Sequence, residues 1–282
     1  MACGAKLKRT RFAPSPTGPL HLGHAYAALI AQNRADKGEF IVRIEDLDQS
    51  RARPEWEAQI FDDLAWLGLT WQEPVMRQSQ RTEAYQAALK TLADQGLTYQ
   101  CACTRADIRA ALSAPQEGAP ILGPDGLVYP GTCRDKHLRD APTIRLNLRA
   151  ALATCAASPQ FTETGLRAGP HQADQDWLLT HCGDVILSRK DMGAAYHLAV
   201  VVDDAAQGIT EVTRGDDLFE ATFIHVLLQS LLGLHTPTYH HHALIRDPQG
   251  KRLAKRDDAR AIRSYREAGL TPAEVKALIP TP

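Results

Sequence analysis

An α/β fold with a parallel sheet is the fold class that this sequence predicts, on two observations. Strand-like and helix-like segments alternate over the first hundred residues, which is the pattern of βαβ units. A loop rich in proline and glycine joins the first strand to the first helix. The length of 282 residues suits about two domains. Apolar residues make up 44% and charged residues 23% of the chain, which excludes wholesale disorder.

The first part of the chain supplies the alternating elements. Strands are predicted at residues 8–12 and 39–45, where β-branched and aromatic side chains concentrate. The segment between them carries apolar residues three and four positions apart, which is the spacing of one helical face. The same spacing predicts two more helices after the second strand. The apolar positions of the three helices are Leu22, Ala25, Tyr26, Leu29 and Ile30, then Trp56, Ile60, Leu64 and Leu67, then Tyr85, Ala88, Leu89 and Leu92.

The middle of the chain departs from this alternation. Residues 98–192 hold most of the six cysteines together with many prolines and glycines. They contain one short alternating strand at 143–148, and a loop is predicted at 114–130. We therefore predict an inserted module.

The alternation resumes after the module. The apolar run at 195–204 predicts a strand buried on both faces, followed by a helix at 218–232 and a strand at 239–245. The predicted divisions are residues 6–97 for the first half of the α/β domain, 98–192 for the inserted module, 193–245 for the second half, and 246–282 for a basic loop with a C-terminal helical region.

The charge balance and the apolar pattern exclude some classes of protein. Lys plus Arg number 32 and Asp plus Glu number 33, so the net charge of −1 gives no argument about nucleic acid. No window approaches about 18 consecutive apolar residues, so we expect no membrane span. The basic N-terminus lacks the apolar core of a secretory signal. We expect a cytoplasmic monomer whose clustered cysteines serve a metal or catalysis rather than disulfides.

The loop between the first strand and the first helix has the features of a phosphate site. A helix N-terminus offers unpaired N–H groups and the positive end of the helix dipole. His21 and His24 are three residues apart, so both imidazoles would point the same way and could hold nucleotide phosphates. Gly23 leaves space for a flat base against the backbone. A proline-rich loop with two surface histidines is the alternative on spacing alone.

A basic run at residues 251–256 follows the turn at 247–250. One well-placed ammonium group on a mobile loop could close on a triphosphate and stabilise the transition state. The alternative is a solvated charge run, which is the commoner interpretation of such a run taken alone.

Three cysteines have spacing that suits a metal. Cys101 and Cys103 are followed some thirty residues later by Cys133, which is one short of the usual four zinc ligands. Tyr129 or His137 could supply the fourth ligand. Three free structural thiols are the alternative.

Together the two loops resemble the HIGH and KMSKS motifs of class I aminoacyl-tRNA synthetases. Four more segments are similar to the glutamyl-tRNA synthetase branch of that family, and all occur in the family's order between about residue 9 and residue 257. The resemblance implies a Rossmann-type catalytic domain, a ligase activity, and ATP with magnesium as a substrate. The four segments are 11–18, 43–48, 201–204 and 213–218.

The resemblance also implies roles for residues at matching positions. His21, His24 and Lys255 would be catalytic and, with Gly23, would bind ATP. Arginines suit the glutamate substrate because a guanidinium group can donate two parallel hydrogen bonds to a carboxylate. The implied glutamate-binding residues are Arg11, Phe12, Ala13, Pro14, Ser15, Glu45, Tyr196 and Arg214, with Glu45 facing the α-amino group.

For the metal, the resemblance implies one structural zinc ion per chain. Its ligands would be Cys101, Cys103, Tyr129 and Cys133. The sequence departs from the family pattern in the basic loop, where Ala254 stands at a position often occupied by serine and so lacks a hydroxyl group.

The chain ends about 26 residues after Arg256, so we expect no anticodon-binding domain. A catalytic half without that domain resembles the glutamyl-queuosine tRNA(Asp) synthetases. This resemblance implies that ATP activates glutamate to glutamyl-adenylate without tRNA. Glutamate would then pass to queuosine in the anticodon loop of tRNA(Asp).

Three other functions remain open at the level of sequence. The nearest is a truncated glutamyl-tRNA synthetase that charges the 3′ end of tRNA(Glu). A second is a zinc-bearing RNA-binding module without catalysis, which the presence of His21, His24, Glu45 and Lys255 disfavours. A third is a nucleotidyltransferase that makes a small-molecule adenylate.

Overall fold

The computed structural model describes residues 7–112, 122–124, 126–155, 157–246 and 260–280. Its helices are α1 (Leu22–Ala35), α2 (Pro54–Trp66), α3 (Thr82–Asp94), α4 (Arg105–Leu112), α5 (Leu148–Thr154), α6 (Gln175–Trp177), α7 (Tyr196–Ala206), α8 (Ala221–Leu231), α9 (Ile262–Glu267) and α10 (Pro272–Ala277). Its strands are β1 (Arg9–Phe12), β2 (Glu39–Ile44), β3 (Gln72–Arg77), β4 (Thr98–Cys101), β5 (Leu122–Gly123), β6 (Gly126–Leu127), β7 (Thr143–Leu146), β8 (Gln160–Glu163), β9 (Gly169–Gln172), β10 (Ile186–Arg189), β11 (Glu211–Gly215) and β12 (Thr238–His242).

Strands β1, β2 and β3 form a parallel sheet in that order, with α1 packed on β1 and β2. Alternate side chains of β2 serve different parts of the core: Phe40, Val42 and Ile44 pack with α1 and α2, whereas Ile41 belongs to the cluster around α8. This alternation follows from the two-residue period of a strand. The strands predicted at 8–12 and 39–45 and the three helices predicted around them are confirmed.

A second sheet continues the first. Strands β11, β12 and β8 are parallel, and β9 is antiparallel at the edge. The Thr210 backbone N–H, just before β11, donates to the Arg9 carbonyl of β1 at 3.0 Å, so β1 and β11 lie side by side. The chain order reverses between these two strands, and α/β sheets bind ligands at the carboxyl ends of strands at such a point. The predicted strand at 239–245 is observed at Thr238–His242.

A third, antiparallel sheet has the order β10, β7, β4, and the short strands β5 and β6 form a hairpin. The strand predicted at 143–148 is β7. Much of the loop predicted at 114–130 lies outside the described residues. The divisions at 97 and 192 stay a prediction, although β8 and β9, from within the predicted insertion, pair with the second sheet.

The strand predicted at 195–204 is wrong, because this segment forms helix α7. A short apolar run fits a strand buried on both faces and a helix buried on most sides equally well. Helix α7 packs against α3, α8 and β10, so its side chains are buried around most of its circumference. The predicted helix at 218–232 is observed as a 3₁₀ turn at Asp216–Leu218 followed by α8.

The C-terminal helices α9 and α10 pack against the first half of the fold. Ile262, Val275 and Ile279 share one apolar cluster with Ile60 and Leu64 of α2. Within the described ranges, no helix combines the length and the apolar character needed to cross a membrane.

Candidate active site

A cavity of about 550 Å³ opens at the carboxyl ends of β1, β2 and β11, beside the first turn of α7. All eight residues that the sequence predicts to bind the glutamate substrate line this cavity, together with His24. A larger groove of about 850 Å³, between α2 and α9, contains none of the predicted site residues. The smaller cavity is lined by Arg11, Phe12, Ala13, Pro14, Ser15, Thr17, His24, Ala27, Glu45, Tyr196, Thr213, Arg214, Gly215, Asp217 and Leu218.

Two residues that line the cavity, Arg11 and Glu45, belong to a buried ion-pair network. Arg11 Nε donates to Asp204 Oδ1 at 3.0 Å, and Arg43 Nη1 donates to the same oxygen at 2.6 Å. Arg43 Nη2 also donates to Glu45 Oε1 at 3.3 Å. Burial opposes ionisation of Asp204, but the two guanidinium groups hold its pKa below the ordinary value. Burial raises the pKa of Glu45, and Arg43 and Arg11 offset only part of that effect.

Arg214 also lines the cavity and has different partners. Its Nη2 donates to Thr222 Oγ1 at 2.6 Å, its Nη1 contacts His225 Nδ1 at 2.9 Å, and its Nε donates to His241 Nε2 at 3.2 Å. On its far side, His241 Nδ1 lies 2.6 Å from Glu163 Oε2. The Arg214 guanidinium group, on β11, is therefore held in place by side chains of α8 and β12. Strand β8 supports it indirectly, through the contact of Glu163 with His241.

The two predicted phosphate-binding histidines are adjacent at the start of α1. His21 is the N-cap: its Nδ1 accepts from the Gly23 N–H, and His24 Nδ1 accepts from the His21 N–H, both at 3.1 Å. The ring centroids are 3.8 Å apart. A Cβ atom at Gly23 would lie only 3.0 Å from His21 Cε1, so glycine allows the His21 ring to fold over the helix start.

The chain returns to this point after the basic loop. Ala261 forms an isolated β-bridge with His21, and the Ile262 N–H donates to the Leu20 carbonyl at 2.8 Å. Lys255, the third predicted catalytic residue, lies outside the described residues.

Cys101 and Cys103, at the end of β4, come together with Tyr129 and Cys133, which follow the β5–β6 hairpin. The three sulfur atoms lie within 4.8 Å of one another. The Tyr129 hydroxyl lies 3.3 Å from Cys101 Sγ and 3.4 Å from Cys103 Sγ. His137, the other candidate for a fourth ligand, is not a member of this group.

The donor set of this cluster fits a tetrahedral metal ion. Zn–S bonds of about 2.3 Å put two sulfur ligands of one zinc ion about 3.8 Å apart, and Cys103 Sγ and Cys133 Sγ are 3.4 Å apart. Burial opposes ionisation of Cys133, but hydrogen bonds from the Tyr129 hydroxyl and the Ala102 backbone lower its pKa to about 7. Burial raises the pKa of Cys103 to about 11.

Sequence reasoning missed the residues that support the two cavity arginines. Asp204 belongs to an Asp-Asp pair that resembles the family, but a pair at the end of a predicted strand suggests capping. His225 stands in a largely apolar helix, and a polar residue on a buried face is the available signal. Glu163 carried no signal, because its partner His241 is 78 positions away in sequence.

The chain is similar in sequence to proteins of one family. The profile of one family, described as "tRNA synthetases class I (E and Q), catalytic domain", matches residues 8–279. A relative from Rhodobacter capsulatus named glutamyl-Q tRNA(Asp) synthetase is 58% identical over 277 residues, covering 96% of this chain and 99% of its own. A protein of the same name from Nocardia farcinica is 44% identical over 272 residues, covering 95% of this chain and 82% of its own.

Solved structures give the same fold. A glutamate tRNA ligase from Elizabethkingia meningosepticum, in complex with its amino acid, matches with a TM-score of 0.70 and 29% identity, over 89% of this chain. The present chain covers 52% of that ligase, which is about half of its length. A methionyl-tRNA synthetase from Mycobacterium tuberculosis matches with a TM-score of 0.60 at 11% identity, over 96% of this chain and 63% of its own, which shows the fold alone.

Proposed function

Because this chain belongs to the family of class I (E and Q) tRNA synthetase catalytic domains, we propose that it is a ligase that attaches glutamate to queuosine in tRNA(Asp). The observation that carries the proposal is the composition of the 550 Å³ cavity. Two arginines, Arg11 and Arg214, line the same cavity as Glu45 and Tyr196. Glutamate carries two carboxylates and one ammonium group, which such a cavity complements. The names of the relatives from Rhodobacter and Nocardia support queuosine as the acceptor.

In the first step, glutamate reacts with ATP to form glutamyl-adenylate. An oxygen of the α-carboxylate forms a bond to the α-phosphorus, and the bond from that phosphorus to the bridging oxygen breaks, so that pyrophosphate leaves with the electron pair. Such transfers depend on positioning and on stabilisation of charge. Magnesium bound to the ATP phosphates would supply further neutralisation of charge.

Within this step, we assign His21 and His24 to the ATP phosphates and Lys255 to the charge that develops on them. The helix start adds N–H groups and a positive dipole end. Gly23 would lie beneath the adenine base.

In the second step, a hydroxyl group of the queuosine ring attacks the carbonyl carbon of the adenylate. The bond from that carbon to the phosphate oxygen breaks, AMP leaves, and the hydroxyl proton is lost. The product is an ester of glutamate on the modified base. We expect the first step to proceed without tRNA, because the residues assigned to glutamate all line one cavity of this chain.

For the cysteine cluster, we propose one structural zinc ion per chain bound by Cys101, Cys103, Tyr129 and Cys133. Thiolate ligands favour zinc over magnesium or calcium. Four protein ligands leave no position for a reactive water molecule, so the ion would stabilise the surrounding module rather than take part in the reaction.

The experiment that tests the function is transfer of labelled glutamate to purified tRNA(Asp) with and without queuosine, with tRNA(Glu) in parallel. We expect label on queuosine-containing tRNA(Asp) alone, and pyrophosphate exchange that depends on glutamate and needs no RNA. Label on tRNA(Glu) instead would show a charging enzyme of the ordinary kind. Absence of both exchange and transfer would favour the non-catalytic alternative.

A further inference from the structure

The partners of Arg214 differ in charge from those of the other arginine in the cavity. Arg11 and the nearby Arg43 both pair with the Asp204 carboxylate. Arg214 is equally buried, yet among the described residues its hydrogen-bond partners are one hydroxyl group and two imidazole rings, and it forms no ion pair. Among the described residues, no carboxylate therefore contacts the Arg214 guanidinium group to neutralise its positive charge.

The direction of each hydrogen bond follows from the chemistry of the guanidinium group. Arginine has only N–H donors, so the imidazole nitrogens that face Arg214 must be acceptors. His225 Nδ1 and His241 Nε2 therefore carry no proton. The proton of His225 lies on Nε2, which donates to His197 Nδ1 at 3.0 Å. The proton of His241 lies on Nδ1, which donates to Glu163 Oε2 at 2.6 Å.

The surroundings hold both rings in this neutral form. The backbone N–H groups of His241 and Gly165 donate to Glu163 Oε1 at 2.9 and 2.6 Å and fix its carboxylate. In this position Glu163 accepts a hydrogen bond from His241 Nδ1 and does not contact the guanidinium group. Burial lowers the pKa of His225 well below 6.5, and the charge of Arg214 adds to that effect. Burial also lowers the pKa of His241.

We propose that His225 and His241 are positioning residues that hold Arg214 in place as neutral acceptors and leave its charge available for the side-chain carboxylate of glutamate. The inference rests on the proposed function, and it adds the source of the preference for glutamate over glutamine. A carboxylate in place of either ring would neutralise Arg214 before the substrate arrived. Two neutral rings fix its orientation and leave the substrate as the partner that completes the charge pair.

Steady-state kinetics of pyrophosphate exchange test this role. In His225→Leu the acceptor is lost, and we expect the KM for glutamate to rise roughly tenfold or more while the KM for ATP stays within about twofold. His225→Asn keeps an acceptor oxygen near the position of Nδ1 and should recover most of the loss. The matched control is His240→Leu, since His240 contacts Thr164 instead of Arg214. An unchanged KM for glutamate in His225→Leu, or an equal loss in the control, would overturn the assignment.

The protonation pattern can be measured without activity. In ¹⁵N spectra of the unsubstituted protein at pH 7.5, assigned with the His225 and His241 variants, we expect a neutral Nε2–H form for His225 and a neutral Nδ1–H form for His241. An imidazolium signal or the opposite tautomer at either position would refute the inference. If the unsubstituted protein shows no glutamate-dependent exchange, the proposed function fails, and the tautomer measurement still decides whether the two rings support Arg214 as described.

Discussion

At the scale of single residues, a buried carboxyl group in the first half of the fold is a source of instability. Asp63 of α2 is 1% exposed, and neither of its oxygens makes a well-formed hydrogen bond. Burial and the neighbouring Asp62 carboxylate raise the pKa of Asp63 to about 6, and the Gln59 amide opposes this only partly. The folded state therefore binds a proton more tightly than the unfolded chain, so this group lowers stability as pH rises above about 4.

We expect Asp63→Asn to raise the free energy of unfolding by about 2–3 kcal/mol at pH 7.5, because Asn carries no charge to bury. The gain should fall to about half at pH 5, where the folded carboxyl group is already largely protonated. Urea unfolding at the two pH values measures this. Asp94→Asn, an exposed position on α3, is the control and should change little. A gain that is the same at both pH values would contradict the assignment.

A second buried carboxylate, that of Asp204, stabilises the folded state, whereas Asp63 destabilises it. Asp204 compensates Arg11 and Arg43, and the Arg43 side chain is 0% exposed. Asp204→Asn should lower the free energy of unfolding by about 3–5 kcal/mol at pH 7, because it leaves buried cations unpaired. Since the folded pKa of Asp204 lies below 3.8, its contribution is present above that value and is lost as pH falls below it.

The control for this substitution is Asp48→Asn, whose partner Arg51 is 72% exposed. Exposed pairs contribute less than about 1 kcal/mol, so urea midpoints of the two variants at pH 7 should differ widely. Equal midpoints would mean that the buried network has no special role in stability.

The candidate site was predictable to different depths at different residues. Arg11, Glu45 and Arg214 stand in short segments that resemble a family, and the fold brings all three to one cavity together with Tyr196. The partners that support them could not be inferred, because the hydrogen bonds of Arg11 with Asp204 and of His241 with Glu163 join positions 193 and 78 residues apart in sequence. A local pattern contains no information about such pairs until the strand order is known.

At the scale of elements, one close approach fixes how α1 leads into β2. A Cβ atom on Gly38 would lie 1.8 Å from the Lys8 carbonyl oxygen, and that oxygen also accepts from the Glu39 N–H at 2.8 Å. We expect Gly38→Ala to lower the free energy of unfolding by about 2 kcal/mol or more, since the start of β1 must move away from β2.

Gly96→Ala is the matched control for Gly38→Ala. Nothing lies within 4 Å of a Cβ atom there, and only its positive φ of 72° opposes alanine, so a cost of about 1 kcal/mol is expected. Thermal or urea unfolding compares the two variants. A smaller cost for Gly38→Ala than for Gly96→Ala would show that β1 tolerates the displacement.

Element types were predictable where the period of the apolar residues was clear. Helix α1 and strands β1 and β2 follow their patterns closely, because each has one or both faces fixed against the same core. For helix α7 the sequence predicts a strand, because its valines favour strands and its burial on most sides removes the helical period. Tertiary packing against α3 and α8 decided the outcome.

The cysteine cluster supports a prediction about metal removal. Purified protein should contain one zinc ion per chain, and a chelator should lower the Tm by about 5 °C or more, because binding energy of the ion contributes to folding. Elemental analysis and thermal denaturation measure the two effects. Cys155→Ser should keep its zinc, since Cys155 is not part of the cluster. Full zinc content in a Cys101→Ser/Cys133→Ser double variant would exclude this site.

At the scale of the whole molecule, the proposed function requires one cavity to serve both recognition and chemistry. The chain spans about half the length of the glutamate tRNA ligase that it matches. If the cavity itself receives the anticodon loop, the base is recognised at the place where it reacts. Single-stranded loops are where proteins read RNA sequence, because unstacked bases can enter a pocket. The nucleophile is then a hydroxyl group on queuosine and not one on the terminal ribose.

This route predicts that the tRNA 3′ end is dispensable. Queuosine-containing tRNA(Asp) from which the 3′-terminal adenosine has been removed should accept labelled glutamate as well as intact tRNA does. The label should be released by mild alkali, because the product is an ester, and nuclease mapping should place it in the anticodon loop. Intact tRNA(Asp) without queuosine is the control and should accept none. If removal of the adenosine abolishes labelling, the terminal ribose is the acceptor, and a charging enzyme of the tRNA(Glu) type describes the chain better.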